Sequence, residues 1–482
     1  MAGEFIRNRI HPLARGFALG GLAWAVAGCS SIPAYNPPKL EVPAQFKEGA
    51  EFQAESAKLF KQADLNTQPT PDAWWELFND PVLNDLQQQA DRANPTVAGS
   101  IAAVQLAIAA TATANASLWP TVGLTGSANK SNVQTASNPK GMTYTAQGSV
   151  SGWEVDLWNR LGAAATSAKL KEDASRADLA AARLSLQASV AQTYFSIRAA
   201  EITDKSLGTT AEANQKFLTL TRNQYQSGVA SSAAVASAES QLQSTLAQRE
   251  ESRITRATLE HALATLLGIA PGAFTLAPTG SLPPVPAVPL QLPSQLLERR
   301  PDIASAERKV AAANASIGAA DAAFFPALML SANYGARNTG LAGLFDLPNR
   351  IWSLGPSLTY GLFDGGARKA ASASARAGYD QAVATYRQAV LTALQEVEDN
   401  LITASALQRE EEVQRAALSA AHKATEVNTN QYAAGMVSYL NVISAQNAEL
   451  AAQNSLVSVQ SRRLTALAVL LKNLGGHWQP TK

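Results

Sequence analysis

The sequence predicts an α+β membrane protein with an internal duplication, in which four short strands alternate with very long helices. Three observations predict it: an N-terminal export segment, four segments of alternating apolar and polar residues, and two long stretches without proline. Four strands cannot close a transmembrane barrel, because the smallest closed barrels use about eight. Open strand edges cannot face lipid, so several copies of the chain must contribute strands to one barrel.

Composition narrows the function classes. Of the 482 residues, 46% are hydrophobic and 16% are charged, against about 25% charged in typical soluble proteins. The formal net charge is +1, which argues against nucleic acid as a partner. One cysteine and four scattered histidines predict neither a disulfide framework nor a metal site. No catalytic or phosphate-binding motif is recognisable, so we expect no enzyme activity and no cofactor.

Residues 1–28 are predicted to be a lipoprotein signal peptide. Basic residues precede the apolar run Phe17–Ala27, which is too short to span a bilayer. The run leads into Val26-Ala27-Gly28-Cys29, which is typical of cleavage before Cys29 and lipid attachment to its thiol. Ser30 in place of Asp favours the outer membrane by analogy with bacterial lipoprotein sorting. The alternative is an ordinary secretory signal with an incidental cysteine.

Two halves of the chain repeat each other. Helices open at Asn94-Pro95 and at Arg300-Pro301, and the Tyr225-x-x-Gly228 pattern recurs 207 residues later as Tyr432-x-x-Gly435. A constant offset over ordered landmarks indicates a tandem duplication. The predicted organisation is a signal peptide (1–28), a tether with an N-terminal helix (29–80), a first repeat (81–270), a Pro-rich linker (271–293), a second repeat (294–475) and a tail (476–482).

Each repeat contains two predicted strands, at about 121–131 and 143–155 and at about 327–337 and 351–363. One face of each is apolar and the other carries small polar groups, as a barrel with lipid outside and water inside requires. Aromatic residues at the inner strand ends are expected to form an interfacial girdle. They are Trp119, Trp153, Trp158, Phe324, Phe325 and Phe363. A soluble β-sandwich with one wet face is the alternative.

Long helices follow the strands. Residues 158–226 and 367–434 contain no proline, and a helix of the former span would be roughly 100 Å long. The return helices are expected to start near Ser231 and Ser438. Apolar residues at steps of seven in the last helix indicate a coiled coil. They are Ile443, Leu450, Val457, Leu464 and Leu471.

Two helical segments invite other interpretations. Val97–Trp119 contains no charged residue, but it is rich in Ala, Thr, Ser, Gln and Asn, which insert poorly into membranes. We therefore expect a helix in a packed helical wall. The charge run Arg409–Glu412 is expected to form a solvated helix face.

Three motifs, in order along the chain, carry a family resemblance. They are Trp153-Glu-Val-Asp-Leu-Trp158-Asn-Arg160-Leu, Tyr225-x-x-Gly228-Val229 and Leu474-Gly475-Gly476-x-Trp478. With the duplication and the lipoprotein signal, the chain resembles the TolC-like outer-membrane factor family, most closely its OprM-type (NodT) efflux lipoproteins. The resemblance implies a homotrimer with a shared 12-stranded barrel in outer-membrane lipid. A long periplasmic α-helical coiled-coil barrel with an equatorial domain would continue it.

The resemblance also implies a function and partners. The chain would be a passive exit duct for drugs or other small molecules in a tripartite efflux system. Its partners would be a periplasmic adaptor (membrane fusion protein) and an inner-membrane pump, most often of the resistance–nodulation–division class. An autonomous porin and a structural periplasmic lipoprotein are the alternatives.

The resemblance places two helical turns, 225–231 and 432–438, at the periplasmic tip. Such tips contact the adaptor and close the pore in this family. The expected adaptor-docking residues are Gly228, Val229, Gly435 and Tyr432. The expected gate residues are Met436, Val437, Ser438, Tyr439, Arg222 and Tyr225.

The gate departs from the OprM-type pattern, in which an Asp follows the second turn. No acidic residue occurs between Glu426 and Glu449. We therefore expect apolar closure by Val437, with Met436 or Tyr439 nearby, because a hydrophobic constriction can gate by dewetting. Arg222 and Tyr225 are expected to bond across helices; the alternative is a solvated Arg and a packed Tyr.

Overall fold

A computed structural model describes residues 32–38, 43–59, 73–132, 140–286 and 299–475. Cys29 and the signal peptide lie outside the described residues. So do residues 287–293 of the linker and the tail with Trp478.

Eight α-helices occur in the described part of the chain. They are α1 (Gly49–Leu59), α2 (Pro81–Ala93), α3 (Pro95–Ala116), α4 (Arg160–Gln226), α5 (Ser232–Leu266), α6 (Pro301–Ala322), α7 (Ala367–Ala433) and α8 (Tyr439–Asn473). The helices of the two repeats match in length: 22 residues in α3 and α6, 67 in α4 and α7, and 35 in α5 and α8. The internal duplication is therefore present in the fold as well as in the sequence.

Helix starts coincide with capping residues. Asp80 caps α2, where its Oδ1 accepts hydrogen bonds from the backbone N–H groups of Val82 (2.9 Å) and Leu83 (3.2 Å). Pro81 follows at the first helical position, where a missing N–H costs nothing. Ser231 and Ser438 are the N-caps of α5 and α8, as expected from the sequence. Side-chain bonds of Asp80 and Ser231 thus fix two of these helix starts, whereas Ser438 forms no side-chain capping bond with the described residues of α8.

The four strands form one antiparallel sheet in the order β1-β2-β3-β4. They are β1 (Val122–Ser131), β2 (Gly141–Val155), β3 (Ala327–Asn338) and β4 (Arg350–Thr359). The last strand is shorter than the expected 351–363. After Thr359 the chain turns instead, and there Arg368 donates to the Gly361 carbonyl and pairs with Asp364 at 2.6 Å.

The strand register sorts the side chains onto two faces. One row runs from Leu124 to Gly148, Tyr334 and Trp352, each opposite the next on neighbouring strands. The adjacent row, through Thr125 and Gln147, lies on the other face, because successive strand residues point to opposite sides. The sheet therefore has the apolar and polar faces that the alternation predicts.

A β-bulge interrupts the pairing of β2 with β3 between Val150 and Trp153. Gly152 lies there with φ +62°, a left-handed conformation that glycine adopts without strain. Beyond the bulge, Trp153 lies opposite Leu330 and Val155 opposite Leu328. The bulge changes the alternation, so that Trp153 joins the apolar face.

Each edge strand of the sheet can pair with a further strand. Within the described residues, β1 pairs only with β2, and β4 pairs only with β3. Apolar side chains near these edges are largely exposed: Leu124 by 87%, Trp352 by 75% and Leu358 by 68%. One chain thus leaves both an apolar face and two edges uncovered.

The chain divides into two compact units, and each takes segments from both repeats. The first unit comprises 1–39, 103–175 and 306–386 and contains the sheet. The second comprises 40–102, 176–305 and 387–482. Its hydrophobic core includes the fully buried Trp74, whose indole donates to Gln187 Oε1 at 3.0 Å.

One described helix, α3, is long and apolar enough to cross a membrane by length and composition alone. Only 17% of its most apolar window is buried within the chain. The buried positions include Val97, Val104 and Thr111, which are seven residues apart and form one narrow stripe. That α3 belongs to a packed helical wall stays a prediction.

Candidate functional site

The two hairpin turns have the same backbone geometry. Gly228 and Gly435 both have φ +74°, and each N–H donates at 2.9 Å to the carbonyl of the tyrosine three residues earlier. The next residue, Val229 or Met436, donates to the carbonyl five residues before it. These paired bonds form a Schellman-type helix end, which needs a left-handed residue at the glycine position.

Apolar side chains project from both turns. Val229 is 77% exposed and Met436 is 68% exposed. Val437 is half-buried, and Ser438 is the exposed N-cap of α8. Each turn therefore presents an uncovered apolar residue directly after its glycine.

An aromatic cluster beside the second turn joins the two hairpins. Tyr439 is 5% exposed and packs against Phe217 of α4 and Tyr432 of α7, with ring centroids 5.5 and 5.6 Å away. Burial raises the pKa of Tyr439 to about 12. Tyr432 also donates a hydrogen bond to Gln224 Oε1 at 2.9 Å. Tyr439 is thus a packing residue within one chain, and its ring is not exposed at the turn.

Polar pairs cross the hairpins near the turns. Arg222 of α4 pairs with Glu239 of α5 at 3.2 Å, and both side chains are about half exposed. Such an exposed pair contributes about 0–1 kcal/mol. Tyr225 is half exposed. Of the two residues expected to bond across helices, Arg222 therefore does so, through a weak ion pair.

A pair of one histidine and one glutamate connects the two helices of the α7–α8 hairpin. His422 Nδ1 lies 2.7 Å from Glu449 Oε1. The hydrogen bond and the charge of Glu449 raise the pKa of His422 above its ordinary value. The protonated imidazole therefore links the two helices, and this link weakens as the pH rises through that pKa.

A buried charge network, the linker cluster, holds the chain that follows α5. It comprises Arg198, Glu201 and Arg256. Glu201 is 3% exposed at its side chain and accepts from Arg198 at 2.9 Å and from Arg256 at 3.3 Å. Arg198 also donates to the Ala277 carbonyl at 2.8 Å, and Arg256 to the Leu276 carbonyl at 2.6 Å.

A second network, the α1 cluster, lies in the other repeat and comprises Gln408, Glu411 and Arg463. Arg463 donates to Glu411 at 2.7 Å and to Gln408 at 2.9 Å. Gln408 in turn donates to the Glu55 carbonyl of α1 at 2.7 Å. The expectation of a solvated face for Arg409–Glu412 is wrong at Glu411, which is 4% exposed.

The α1 cluster shifts the titration of its carboxylate. Burial raises the pKa of Glu411, but hydrogen bonds from Gln460, Arg463 and Arg415 outweigh burial and hold it below the ordinary value. The charged form is therefore stable in a buried position, because three donors replace its water.

The two clusters occupy equivalent positions in the duplication, and the constant sequence offset is the signal that relates them. Arg256 and Arg463 are 207 residues apart, as are Glu201 and Gln408. In each repeat the network fixes a segment from outside the helical hairpins. Arg256 bonds directly to the Leu276 carbonyl, whereas Arg463 acts through Gln408, which bonds to the Glu55 carbonyl. Among the described residues, no group of three or more metal-binding side chains is gathered in one place.

Comparison with known proteins agrees with these features. The family model described as outer membrane efflux protein matches residues 86–269 and 292–476, which contain the two repeats. The chain is 29% identical to the probable efflux pump outer membrane protein TtgC of Pseudomonas putida, covering 96% of this chain and 95% of that one. It is 30% identical to the pyoverdine export outer membrane protein OpmQ of Pseudomonas aeruginosa, covering 94% and 95%.

Solved structures show the same fold. The outer-membrane channel OprN superimposes with a TM-score of 0.85 at 27% identity, over 94% of this chain and all of that one. The open state of the Neisseria gonorrhoeae MtrE outer membrane channel superimposes with a TM-score of 0.81 at 26% identity, over 94% of this chain and 99% of that one. Because the family model matches most of the chain and both of its repeats, the chain belongs to the outer membrane efflux protein family.

Proposed function

We propose that this chain forms a homotrimeric outer-membrane channel, the passive exit duct of a tripartite efflux system. Drugs or other small molecules would reach it from an inner-membrane pump of the resistance–nodulation–division class through a periplasmic adaptor. The relatives' names support a small-molecule cargo, since they include an antibiotic, a toluene and a pyoverdine exporter. Transport of this kind takes its energy from the pump and needs no catalytic residue.

The sheet carries the proposal of a shared barrel. Within the described residues of one chain, the sheet has an apolar face and two edges without a partner strand. A closed barrel therefore forms only when β1 of one copy pairs with β4 of the next. Three copies of four strands supply 12, above the roughly eight that the smallest closed barrels need. The long hairpins favour a duct over an autonomous porin, which would not need them.

The two turns are the proposed adaptor-docking surface, comprising Gly228, Val229, Gly435 and Tyr432. Equivalent Schellman-type bonds present Val229 and Met436 in the same way. An exposed apolar residue at a rigid turn suits burial against a partner. The glycines shape the surface, and Tyr432 fixes it through its bond to Gln224.

Export measurements test this function. In cells that contain the pump and adaptor, deletion of this chain should cause a fluorescent pump substrate to accumulate, and the intact chain should restore export. Val229→Asp should leave accumulation close to that of the deletion strain, because a charge would be buried at the adaptor contact. Val413→Asp is the matched control, since that valine of α7 is also exposed, by 67%.

Both variants should give the native mass of a trimer after extraction from outer membranes. Normal export by Val229→Asp trimers would contradict docking at the turn. Unchanged export in the deletion strain would contradict the efflux function itself.

The proposed gate consists of Val437 and Met436, with Ser438 at the helix start. Val437 is half-buried at the turn and Met436 is exposed. Tyr439 supports the turn from within the aromatic cluster. Arg222 contributes only a weak ion pair, and Tyr225 lies at the neighbouring turn. The closed aperture would then be dry and apolar, without a carboxylate ring.

Lipid attachment at Cys29 is a further proposal, and the tether supports it. Asn314 of α6 donates to the Pro33 carbonyl at 2.8 Å, and Tyr35 donates to Glu307 of the same helix at 2.7 Å. Towards its N-terminus, the tether therefore runs along α6 in the direction of Ala322, where the helix ends and β3 follows. Cys29 precedes Pro33 by four residue steps, which span at most about 14 Å, while Asn314 lies about 12 Å from the helix end. A lipid on Cys29 could thus reach the membrane beside the sheet.

Mass spectrometry of the mature chain should show an N-terminal Cys29 that carries acyl chains. Cys29→Ala should abolish this modification, because no other thiol exists in the chain. A mature chain that starts elsewhere, or an unmodified Cys29, would contradict the proposal.

A further inference from the structure

A groove of about 500 Å³ lies on the sheet, and the efflux role does not account for it. Small residues form its floor: Gly126 of β1, Gly148 and Ala146 of β2, and Ala336 of β3. The register places Gly126 opposite Ala146 and Ala146 opposite Ala336, so the floor belongs to the apolar face. Leu124 and Tyr334 project beside it.

The groove has a polar end. Arg350, the first residue of β4, lines it and is exposed, and it lies opposite Ala336 on the same face. The helices join the opposite end of the strands, so Arg350 lies at the outer end of β4, in the same register row as Ala336, Ala146 and Gly126. Phe345, in the connection between β3 and β4, lines the groove at this end and is 71% exposed.

The two ends of the groove have complementary chemistry. The middle of the sheet offers an apolar floor without large side chains, which suits an acyl chain. The guanidinium at the outer end suits a phosphate, with which arginine forms strong charge-assisted hydrogen bonds. Phosphate at one end and hydrocarbon towards the middle is the arrangement of a lipid in the outer leaflet.

We propose that this groove binds a phosphate-bearing acylated lipid of the outer leaflet, with its phosphate on Arg350 and one acyl chain over Gly148. Each chain of the trimer would hold one such lipid. The proposal rests on the membrane barrel proposed above, but it does not depend on the pump or on the adaptor. The lipid would fill the depression between Leu124 and Tyr334 and cover the base of the β3–β4 connection.

Native mass spectrometry of the delipidated trimer, titrated with diphosphoryl lipid A, tests the proposal. The wild type should bind one lipid A per chain. Arg350→Gln should bind about tenfold more weakly, because it loses a charge-assisted contact. Lys130→Gln is the matched control: Lys130 lies at the outer end of β1 on the same face but does not line the groove. It should bind as the wild type does.

Filling the floor provides a second test. A Cβ at Gly148 would meet only the Tyr334 carbonyl oxygen at 3.9 Å, an ordinary contact, so Gly148→Leu should fold and block the acyl chain. Gly123→Leu is its control, because Gly123 lies on the polar face and has similar space.

The outcomes separate the proposals. Equal binding by Arg350→Gln or Gly148→Leu trimers would overturn the groove, as would an equal loss in Lys130→Gln. A wild-type chain that forms no trimer would instead contradict the barrel.

Discussion

Replacement of Glu201 by glutamine is expected to destabilise the helical part of the protein by about 3–5 kcal/mol, the usual loss when one partner of a buried ion pair is removed. Glu201 is the shared carboxylate of the linker cluster, and it also accepts from the backbone N–H of Thr279 at 3.1 Å. Glutamine keeps the shape but leaves the charge of Arg198, 1% exposed, without its partner. Urea denaturation followed by circular dichroism should show a lower midpoint.

Glu250→Gln is the control for this prediction. Glu250 pairs with Arg253 at 2.7 Å on the same hairpin with three-residue spacing, as Glu201 does with Arg198, but both side chains are about half exposed or more. Loss of this exposed ion pair should lower the free energy of unfolding by less than about 1 kcal/mol. The double variant Arg198→Gln/Glu201→Gln should recover part of the stability, because the unpaired charge is gone. Equal midpoints for Glu201→Gln and Glu250→Gln would refute a structural role of the linker cluster.

The variant Val437→Thr is expected to leak about tenfold more ions through the resting channel. This increase corresponds to a free-energy barrier to ion passage that is lower by about 1.4 kcal/mol. Threonine has nearly the shape of valine but carries a hydroxyl in place of one methyl group, so it hydrates a dry constriction without widening it. Val437→Ala should also leak, because it widens the aperture. Single-channel recordings of purified trimers in planar bilayers, without adaptor or pump, measure both changes.

Val229→Thr makes the same chemical change at the other turn and should leave the resting current unaltered. A Val437→Ala channel that leaks no more than the wild type would show that this valine does not close the pore. Leakage from Val437→Ala without leakage from Val437→Thr would show that steric closure, not dewetting, holds the gate.

Several local features could be predicted because they depend on neighbouring residues. The two-residue alternation around Leu124 and Tyr334 indicates which side chains share a face. Ser231 indicates a helix start, because its side chain accepts from the Ala234 N–H, and Ser438 lies at the equivalent position of the second repeat. Gly228 and Gly435 indicate helix ends, because a left-handed residue is needed there.

Other features needed the packed structure. Glu411 belongs to a charged run that looks solvated, yet it is buried and accepts hydrogen bonds from Arg463 and Gln460 of α8. Tyr439 follows a turn and looks exposed, but Phe217, more than two hundred residues earlier, covers it. β4 ends at Thr359, before the Arg368–Asp364 pair, although the alternation continues to Leu362.

The sequence by itself determined the duplication, the strand and helix periods, the turns and the need for several copies. Only the tertiary structure decided which charges are buried, how the bulge at Gly152 turns Trp153 to the apolar face, and where Gly148 and Arg350 border one groove. The physical reason is the sequence separation over which each kind of interaction acts. Backbone periodicity and capping act over a few residues, whereas burial and pairing depend on which distant segments pack together.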